Sequence, residues 1–440
     1  MATDGAGLYR RNFTLGVING AVWILSTAFV DVDTVMPAFA LDVMGRNVIW
    51  VGLLSAVIAS GWFWPPVLLS ARFERTQNLR PWYQWAAAAR IGAMFAMFVV
   101  IATFPEGHAR LLYASVGLLF FLHTSAAGVS NIPFLSIVSD SVPPTWRGRF
   151  FGVRLFLGGL MSFAAGFYVR GVLSDHSGLG FPHNYARLFA ISSVFVLVSL
   201  GAFCFVDEPP RAVQQRKLPL GTHLRRGPRL YMRDRNFRHV ILLQALTALS
   251  FGLAVPFIVP FAVQDLNVAK SAIGLFLGVK LLSFSCSNLL WSYLSDARGN
   301  RLLLVAASAL GIAVPAMVCL APMVPQGELH AAGGLALSAR GWFILATFAM
   351  VGASNAGLQV GVTNYLLEII PPRLRSTCLG FYYTTALPLA FVPVLGAVLI
   401  GARGHYALGF ALSGIAAIAA LLLAFRLREI RHSDTARATP

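Results

Sequence analysis

The sequence predicts an all-α integral membrane protein, with twelve transmembrane helices in two six-helix bundles and both termini in the cytoplasm. Three observations carry this. Hydrophobic residues make up 57% of the 440 and charged ones only 12%, with a mean hydropathy of +0.71; a soluble domain carries roughly a quarter charged residues to cover its surface. Twelve apolar runs each reach the roughly 20 residues that a bilayer requires. The two halves also repeat. Asp140-Ser-Val-Pro143-Pro144-Thr-Trp-Arg147 and Glu368-Ile-Ile-Pro371-Pro372-Arg-Leu-Arg375 share one spacing at a constant offset of 228, and Gly152 and Gly380 keep that offset. An earlier echo pairs Pro37 and Asp42 with Pro260 and Asp265, 223 apart. Repeated halves in a membrane chain are the pattern of a secondary transporter with its site between the repeats.

The first run, 13–41, holds Asp31, Asp33 and Pro37. It lacks the short apolar core and small-residue cleavage site of a signal peptide, so it reads as a retained helix. Runs 48–71 and 83–104 follow, the second with Arg90 some turns inside and read as snorkelling back to the cytoplasmic interface. Run 111–138 has His123 near its middle, and run 150–173 carries Gly152, Gly158, Gly159 and Gly166, which permit close helix approach. Run 186–206 completes a first bundle over 1–206. Residues 207–237 form the long polar connection, basic from Arg211 to Arg235. It reads as a cytoplasmic tether at the lipid surface, with a partner-binding role as the alternative. Runs 238–264, 273–293, 302–323, 341–367, 377–401 and 405–426 make a second bundle over 238–426, and 427–440 is a cytoplasmic tail. With the N-terminus inside, most of the 34 Lys and Arg fall on the cytoplasmic side, as the positive-inside rule demands.

The net charge of +17 does not point to nucleic acid, because the basic residues sit in short loops without interleaved exposed aromatics. Cys204, Cys286, Cys319 and Cys378 have neither disulfide nor metal-ligand spacing. A phosphate loop, a metal motif on a helix and a nucleophile elbow are all missing from the sequence, so it predicts no enzyme, no cofactor and no metal.

Six plus six helices, a basic central loop and paired loop signatures resemble the major facilitator superfamily over nearly the whole chain. Acid, six residues, Arg in both the 4–5 and 10–11 loops is similar to its sugar-porter branch. Asp296-Ala-Arg-Gly299-Asn-Arg301 resembles the superfamily's Asp-x-x-Gly-x-Arg loop. The counterpart Ser70-Ala-Arg72-Phe-Glu74-Arg75 departs from it: Ala71 stands where the aspartate is expected, the glycine is missing, and Glu74 is a partial substitute. Helix 5 also lacks the Gly-Pro core of the superfamily's antiporter motif.

Asp140, Arg147, Asp296, Arg301, Glu368 and Arg375 are therefore candidates for a cytoplasmic gate. A carboxylate at one helix end holds Arg of the next only while those ends stay together, which makes a two-state latch. The competing reading is topology and loop shape, with Pro-Pro stopping the helix.

Substrate and coupling residues are sought among polar groups inside the spans, where burial is costly without a functional return. Asp31 and Asp33, two apart, stand roughly 200° apart on an ideal helix and cannot share a cavity. Thr27 and Thr34 keep Asp31 company, which favours it as the inward-facing carboxylate. Pro37 lacks the N–H for the carbonyl of Asp33, so the backbone is expected to open there. Lys280, at similar depth on helix 8, is the expected counter-charge across the cavity. The alternatives are solvated helix-end aspartates and a snorkelling lysine. Asn355, Gln359 and Thr363 stripe helix 10, and Asn131 on helix 4 aligns with Gln359 at the 228 offset. These serve either substrate orientation or interhelical bonding. Trp62, Tyr382 and Tyr383 either line the cavity or pack. His123 is either a proton carrier or a histidine bonded to a neighbouring helix.

The functional expectation is an alternating-access secondary transporter of a small molecule, proton-coupled as a symporter or antiporter. It is placed as a monomer in a cytoplasmic (inner or plasma) membrane of prokaryotic type. The alternatives are an uncoupled facilitator and a non-transporting member of the fold that serves membrane assembly or pigment handling.

Overall fold

The computed structural model describes residues 2–73, 76–105, 107–209, 228–331, 335–370, 375–401 and 405–429, with the backbone alone at 2–8, 70–71, 144–145, 328–331, 335–336, 375–377 and 379–380. Fourteen helices carry the argument: α1 (Ala2–Ala28), α2 (Val35–Met44), α3 (Ile49–Phe73), α4 (Arg80–Thr103), α5 (Ala109–Ser141), α6 (Pro144–Val172), α7 (His183–Cys204), α8 (Arg235–Gln264), α9 (Ala272–Arg298), α10 (Asn300–Leu320), α11 (Ala339–Ile369), α12 (Arg375–Leu389), α13 (Val392–Ile400) and α14 (Tyr406–Phe425). Among the described residues, eleven helices are long and apolar enough to cross a membrane, not the twelve expected. The first expected span is the exception, because it is broken between Ala28 and Val35 into α1 and the short α2. A small antiparallel hairpin, β1 (Glu328–Ala331) and β2 (Leu335–Ser338), precedes α11.

Helix ends are set by identifiable groups. Asp234 caps α8 by accepting from the N–H of Phe237 (2.8 Å), and Ser338 caps α11 by accepting from Gly341 (3.1 Å). The Glu208 carboxylate takes the N–H groups of Leu79 and Arg80 at the start of α4, so an anion sits on the positive end of that helix. Asp207 pairs with Arg11 (3.0 Å) and Arg80 (3.5 Å). The start of the central connection is thereby tied to α1 and to the start of α4. Gly299, at φ +88°, is the single residue between α9 and α10, a conformation that glycine adopts without steric cost.

Helices before the central connection pack mainly on one another, as do those after it. The two groups meet where α6 lies on α9, where α3 meets α12 and α13, and where α2 meets α8. A Cβ on Gly166 of α6 would come within 2.4 Å of the Gly274 carbonyl oxygen of α9, and one on Gly274 within 2.2 Å of Gly166. Only glycine admits backbones that close. The two helices part towards the start of α6 at Pro143-Pro144 (the loop end): a Cβ on Gly152 would find its nearest neighbour, Leu289, at 4.0 Å. α6 and α9 are thus closest at the end opposite the loops, the far end.

Candidate functional site

The break between α1 and α2 follows from its residues. Ser26 and Thr27 bond back to the carbonyls of Trp23 and Ile24, both at 2.7 Å. Such back-bonding competes with the helical ladder. Phe29 and Val30 then bond three residues back, and Met36 bonds the carbonyl of Asp31 five residues back (2.9 Å). The Ser192 hydroxyl of α7 donates to the Ser26 carbonyl (3.0 Å), so that group is satisfied from outside the helix. Pro37 supplies no N–H to Asp33.

Both aspartates lie in this opened segment, and both reach Lys280 of α9. The Lys280 ammonium donates to Asp31 Oδ2 at 2.6 Å and to Asp33 Oδ2 at 2.8 Å. The expectation that the two carboxylates point to opposite sides is therefore corrected: it assumed an ideal helix, and the chain is not helical from Phe29 to Thr34. Asp31 is also held through its other oxygen by the Thr34 hydroxyl (2.8 Å) and the N–H of Asp33 (3.1 Å). Side-chain exposure is 6% for Asp31 and 9% for Lys280, against 28% for Asp33. Two carboxylates on one ammonium leave the cluster with one negative charge in excess. It bridges the two groups of helices.

Lys280 is aimed by its own surroundings. A Cβ on Gly352 of α11 would lie 2.2 Å from the Lys280 carbonyl oxygen, and Ser283 donates to the Ala349 carbonyl (2.7 Å). This seam seats α9 on α11 beside Lys280. On the first group's side of the cluster is a cavity of about 260 Å3, lined by Trp23, Thr27, Asp31, Trp62, His123 and Thr124 among others. Its walls are mainly apolar with few polar groups, the usual character of a small-molecule site.

His123 faces that cavity. Its Nδ1 donates to the Arg90 carbonyl (3.1 Å), and its ring stacks on Trp23 at 6.0 Å. Arg90 does not snorkel as expected. It is 5% exposed, its guanidinium lies 4.1 Å over the Trp23 ring, and Nη1 donates to the Ser130 hydroxyl (3.4 Å). An aromatic face and a hydroxyl inside the fold replace the interface it was expected to seek. Asn131 donates to the Tyr383 hydroxyl (3.4 Å) across the two groups, while Asn355, Gln359 and Thr363 form an exposed stripe on α11.

The loop-end candidates are placed differently. The Arg147 guanidinium donates to the carbonyls of Ser139 (2.6 Å) and Val142 (3.0 Å), capping the end of α5. Glu368 accepts from Asn300 (2.8 Å), whose side-chain oxygen takes the Ser295 hydroxyl (2.7 Å). Arg301 donates to the Phe425 carbonyl (3.0 Å). Asp140 and Asp296 are exposed at helix ends. The side chain of Arg375, and all of Pro371, Pro372, Glu74 and Arg75, lie outside the described residues.

Sequence reasoning missed two constellations. Arg154 of α6 is buried, donating to Asn19 (3.3 Å) and lying over the Phe134 ring at 4.7 Å. Lys270 pairs with Asp42 at the far end, where Tyr185 also donates to Asp42 (2.8 Å). The Asp42–Asp265 echo was the available signal for the second; nothing in the pattern joins Arg154 to Asn19.

A family model described as Major Facilitator Superfamily matches residues 240–440. A stretch of 175 residues, 39% of this chain, is 26% identical to the MFS antiporter QDR3 of Candida albicans, and the match spans 23% of that protein's length. Among solved structures, a bacterial homologue of the iron transporter ferroportin in its inward-facing state superposes with a TM-score of 0.65 at 15% identity, covering 95% of this chain and 98% of that one. The D-xylose-proton symporter gives 0.63 at 15% identity, covering 95% and 97%. The family model thus matches the second half of the chain, and the fold of these transporters is shared over nearly its whole length.

Proposed function

We propose that the protein is a secondary transporter that moves a small solute by alternating access, with protons as the coupling ion. The observation that carries this is the buried cluster in which Lys280 holds both Asp31 and Asp33. Parting the two groups of helices at the far end pulls this cluster apart, and stripping one partner from a buried ion pair costs about 3–5 kcal/mol. Protonating the carboxylates removes the charge that holds Lys280, so opening is tied to proton arrival. Asp33, the more exposed carboxylate, is the natural entry point, and Asp31 borders the cavity. Solute binds in that cavity and along the polar residues Asn131, Asn355, Gln359 and Thr363.

The division at the central connection, with bundles over 1–206 and 238–426, is the mechanical frame. Loop end and termini face the cytoplasm, as the Lys and Arg distribution supports, and the membrane is the cytoplasmic one. Asp140, Arg147, Asp296, Arg301, Glu368 and Arg375 govern conformational change at that end, not solute choice.

The test uses proteoliposomes loaded with a pH-sensitive dye. D-xylose and an iron salt are the first probes, taken from what the similar solved structures are named for. A solute that drives dye-reported proton movement with the wild type, but not with Asp31→Asn, supports the reading. Solute flux without any proton movement makes the protein a facilitator.

A further inference from the structure

The repeat of Asp42 at Asp265 has no part in the coupling cluster, and the structure gives it one elsewhere. Asp42 stands near the end of α2. One oxygen takes the Tyr185 hydroxyl, at the start of α7, at 2.8 Å, and the other takes the ammonium of Lys270, from the opposite group of helices. The Asp42 side chain is 15% exposed and Tyr185 is fully buried. The carboxylate is thus held rigidly from its own side, while its charge is met from the other.

The second half places the corresponding residues together, but with Gln264, next to the acid, taking the hydrogen bonds. Asp265 caps the end of α8. Arg46, from the first half, donates to the carbonyl of the adjacent Gln264 at 3.4 Å, and Tyr406, at the start of α14, donates to the Gln264 side chain at 3.5 Å. Partial desolvation raises the pKa of the Asp265 carboxyl, and the charge of Arg46 works against it, so the guanidinium acts on this acid. The acids Asp42 and Asp265 lie 223 residues apart, the cations Arg46 and Lys270 lie 224 apart, and the tyrosines Tyr185 and Tyr406 lie 221 apart. Each tyrosine also packs on a phenylalanine of the acid's own helix, Phe39 and Phe261, at a ring distance of 5.2 Å in both cases.

We propose that the Asp42–Lys270 ion pair and the contact of Arg46 with the Gln264 carbonyl beside Asp265 are a crossed pair of latches, related by the internal repeat, that hold the far end shut and must part for it to open. Each half contributes one cation that reaches across: Lys270 to the Asp42 carboxylate, and Arg46 to the backbone carbonyl next to Asp265. Neither contact can therefore survive separation of the halves, whereas a contact within one half would be indifferent to it. The latches form a tier separate from the buried Lys280 cluster. An open cleft of about 410 Å3, lined by Asp42, Asp175, Asn184 and Lys270, brings water to the first of them. Salt can screen such a pair, but it cannot reach the buried cluster as readily.

The experiment reads the distance across the far end in the full-length protein in lipid nanodiscs. Spin labels are placed on the exposed positions His176→Cys and Ala269→Cys, with accessible native cysteines changed to serine. The parent is expected to show one dominant short distance. Lys270→Ala and Arg46→Ala should each raise the ratio of long to short populations about threefold to fivefold, the size a partly exposed ion pair supplies. Their combination should raise it by roughly the product. The exchange Asp42→Lys with Lys270→Asp should return the ratio towards that of the parent. If the exchange does not fold, Arg46→Asp with Asp265→Arg, at exposed positions, is measured in its place. Distances unchanged in both single variants, or an exchange that stays where the single variant lies, overturn the proposal.

Discussion

Gly352 of α11 lies against the carbonyl oxygen of Lys280 on α9 so closely that a Cβ there would come within 2.2 Å of it. The obstacle is backbone, which cannot rotate away as a side-chain tip can. The contact seats α9 and leaves the ammonium of Lys280 free to face the two aspartates.

Gly352→Ala is therefore expected to destabilise the protein by about 1–3 kcal/mol, the usual cost of overpacking. It should also reduce proton-coupled flux, because the shift falls on the residue that carries the clamp. Gly92→Ala is the matched control, since a Cβ at that helical position would meet nothing within 4 Å. Thermal unfolding in detergent measures both. Equal midpoints for the two variants would show that α9 yields without cost at Gly352.

The cluster itself predicts an order among variants. Asp31→Asn leaves Lys280 on Asp33, and Asp33→Asn leaves it on Asp31, so each keeps one ion pair. Lys280→Ala leaves the buried Asp31 and the partly exposed Asp33 without their counter-charge, and should be the least stable single variant, by about 3–5 kcal/mol. Adding Asp31→Asn to Lys280→Ala should recover part of that loss, a coupling of the sign expected for direct partners. Asp31→Asn is expected to abolish uphill accumulation while sparing exchange, because an amide cannot carry the proton. Accumulation at the wild-type level in Asp31→Asn would move the proton site elsewhere, first to His123.

How much of this was legible is clearest from those same residues. Asp31 and Lys280 stand out in one dimension because an ion within an apolar run has few cheap destinations, and both were placed at similar depth. Asp33 was misplaced because a continuous helix would set it roughly 200° from Asp31. The opening of that helix depends on hydroxyl back-bonding by Ser26 and Thr27 and on Ser192, far away in the chain. Arg90 was misplaced for a related reason: snorkelling is the default only when no aromatic face is available inside, and Trp23 supplies one. The span count failed at α1 and α2, whose combined run is apolar but interrupted.

Arg154 offers a second steric test, independent of the clamp. A Cβ on Gly20 of α1 would lie 1.8 Å from Arg154 Nε, so the glycine is a slot for the guanidinium on its way to Asn19. Gly20→Ala should cost about 1–3 kcal/mol. Arg154→Ala should also destabilise, through lost packing on Phe134, Phe150 and Phe151. The double variant should be less damaged than the two losses added, since once the arginine is gone the alanine has nothing to strike. Strict additivity would mean that Gly20 serves the helix and not the side chain.

Arg147 yields the last prediction, and the structure alters its form. Its guanidinium forks to the carbonyls of Ser139 and Val142, where the last turn of α5 leaves oxygens without helical partners. A cation there is also favoured by the negative end of the helix. The residue thus ties α5 to α6 at the loop end and sets the angle at which the chain passes between them. Arg147→Ala should leave expression and insertion intact, since positive charge remains abundant in the basic loops, but slow the exchange between the two open forms. Arg147→Lys should fall between, because one ammonium lacks the planar fork that meets two carbonyls at once. The measurement is the rate at which an impermeant thiol reagent modifies a cysteine at Thr124, in the cavity wall, from each side of the membrane. If Arg147→Ala matches the wild type from both sides and transports at full rate, Arg147 shapes a loop and has no part in the gate.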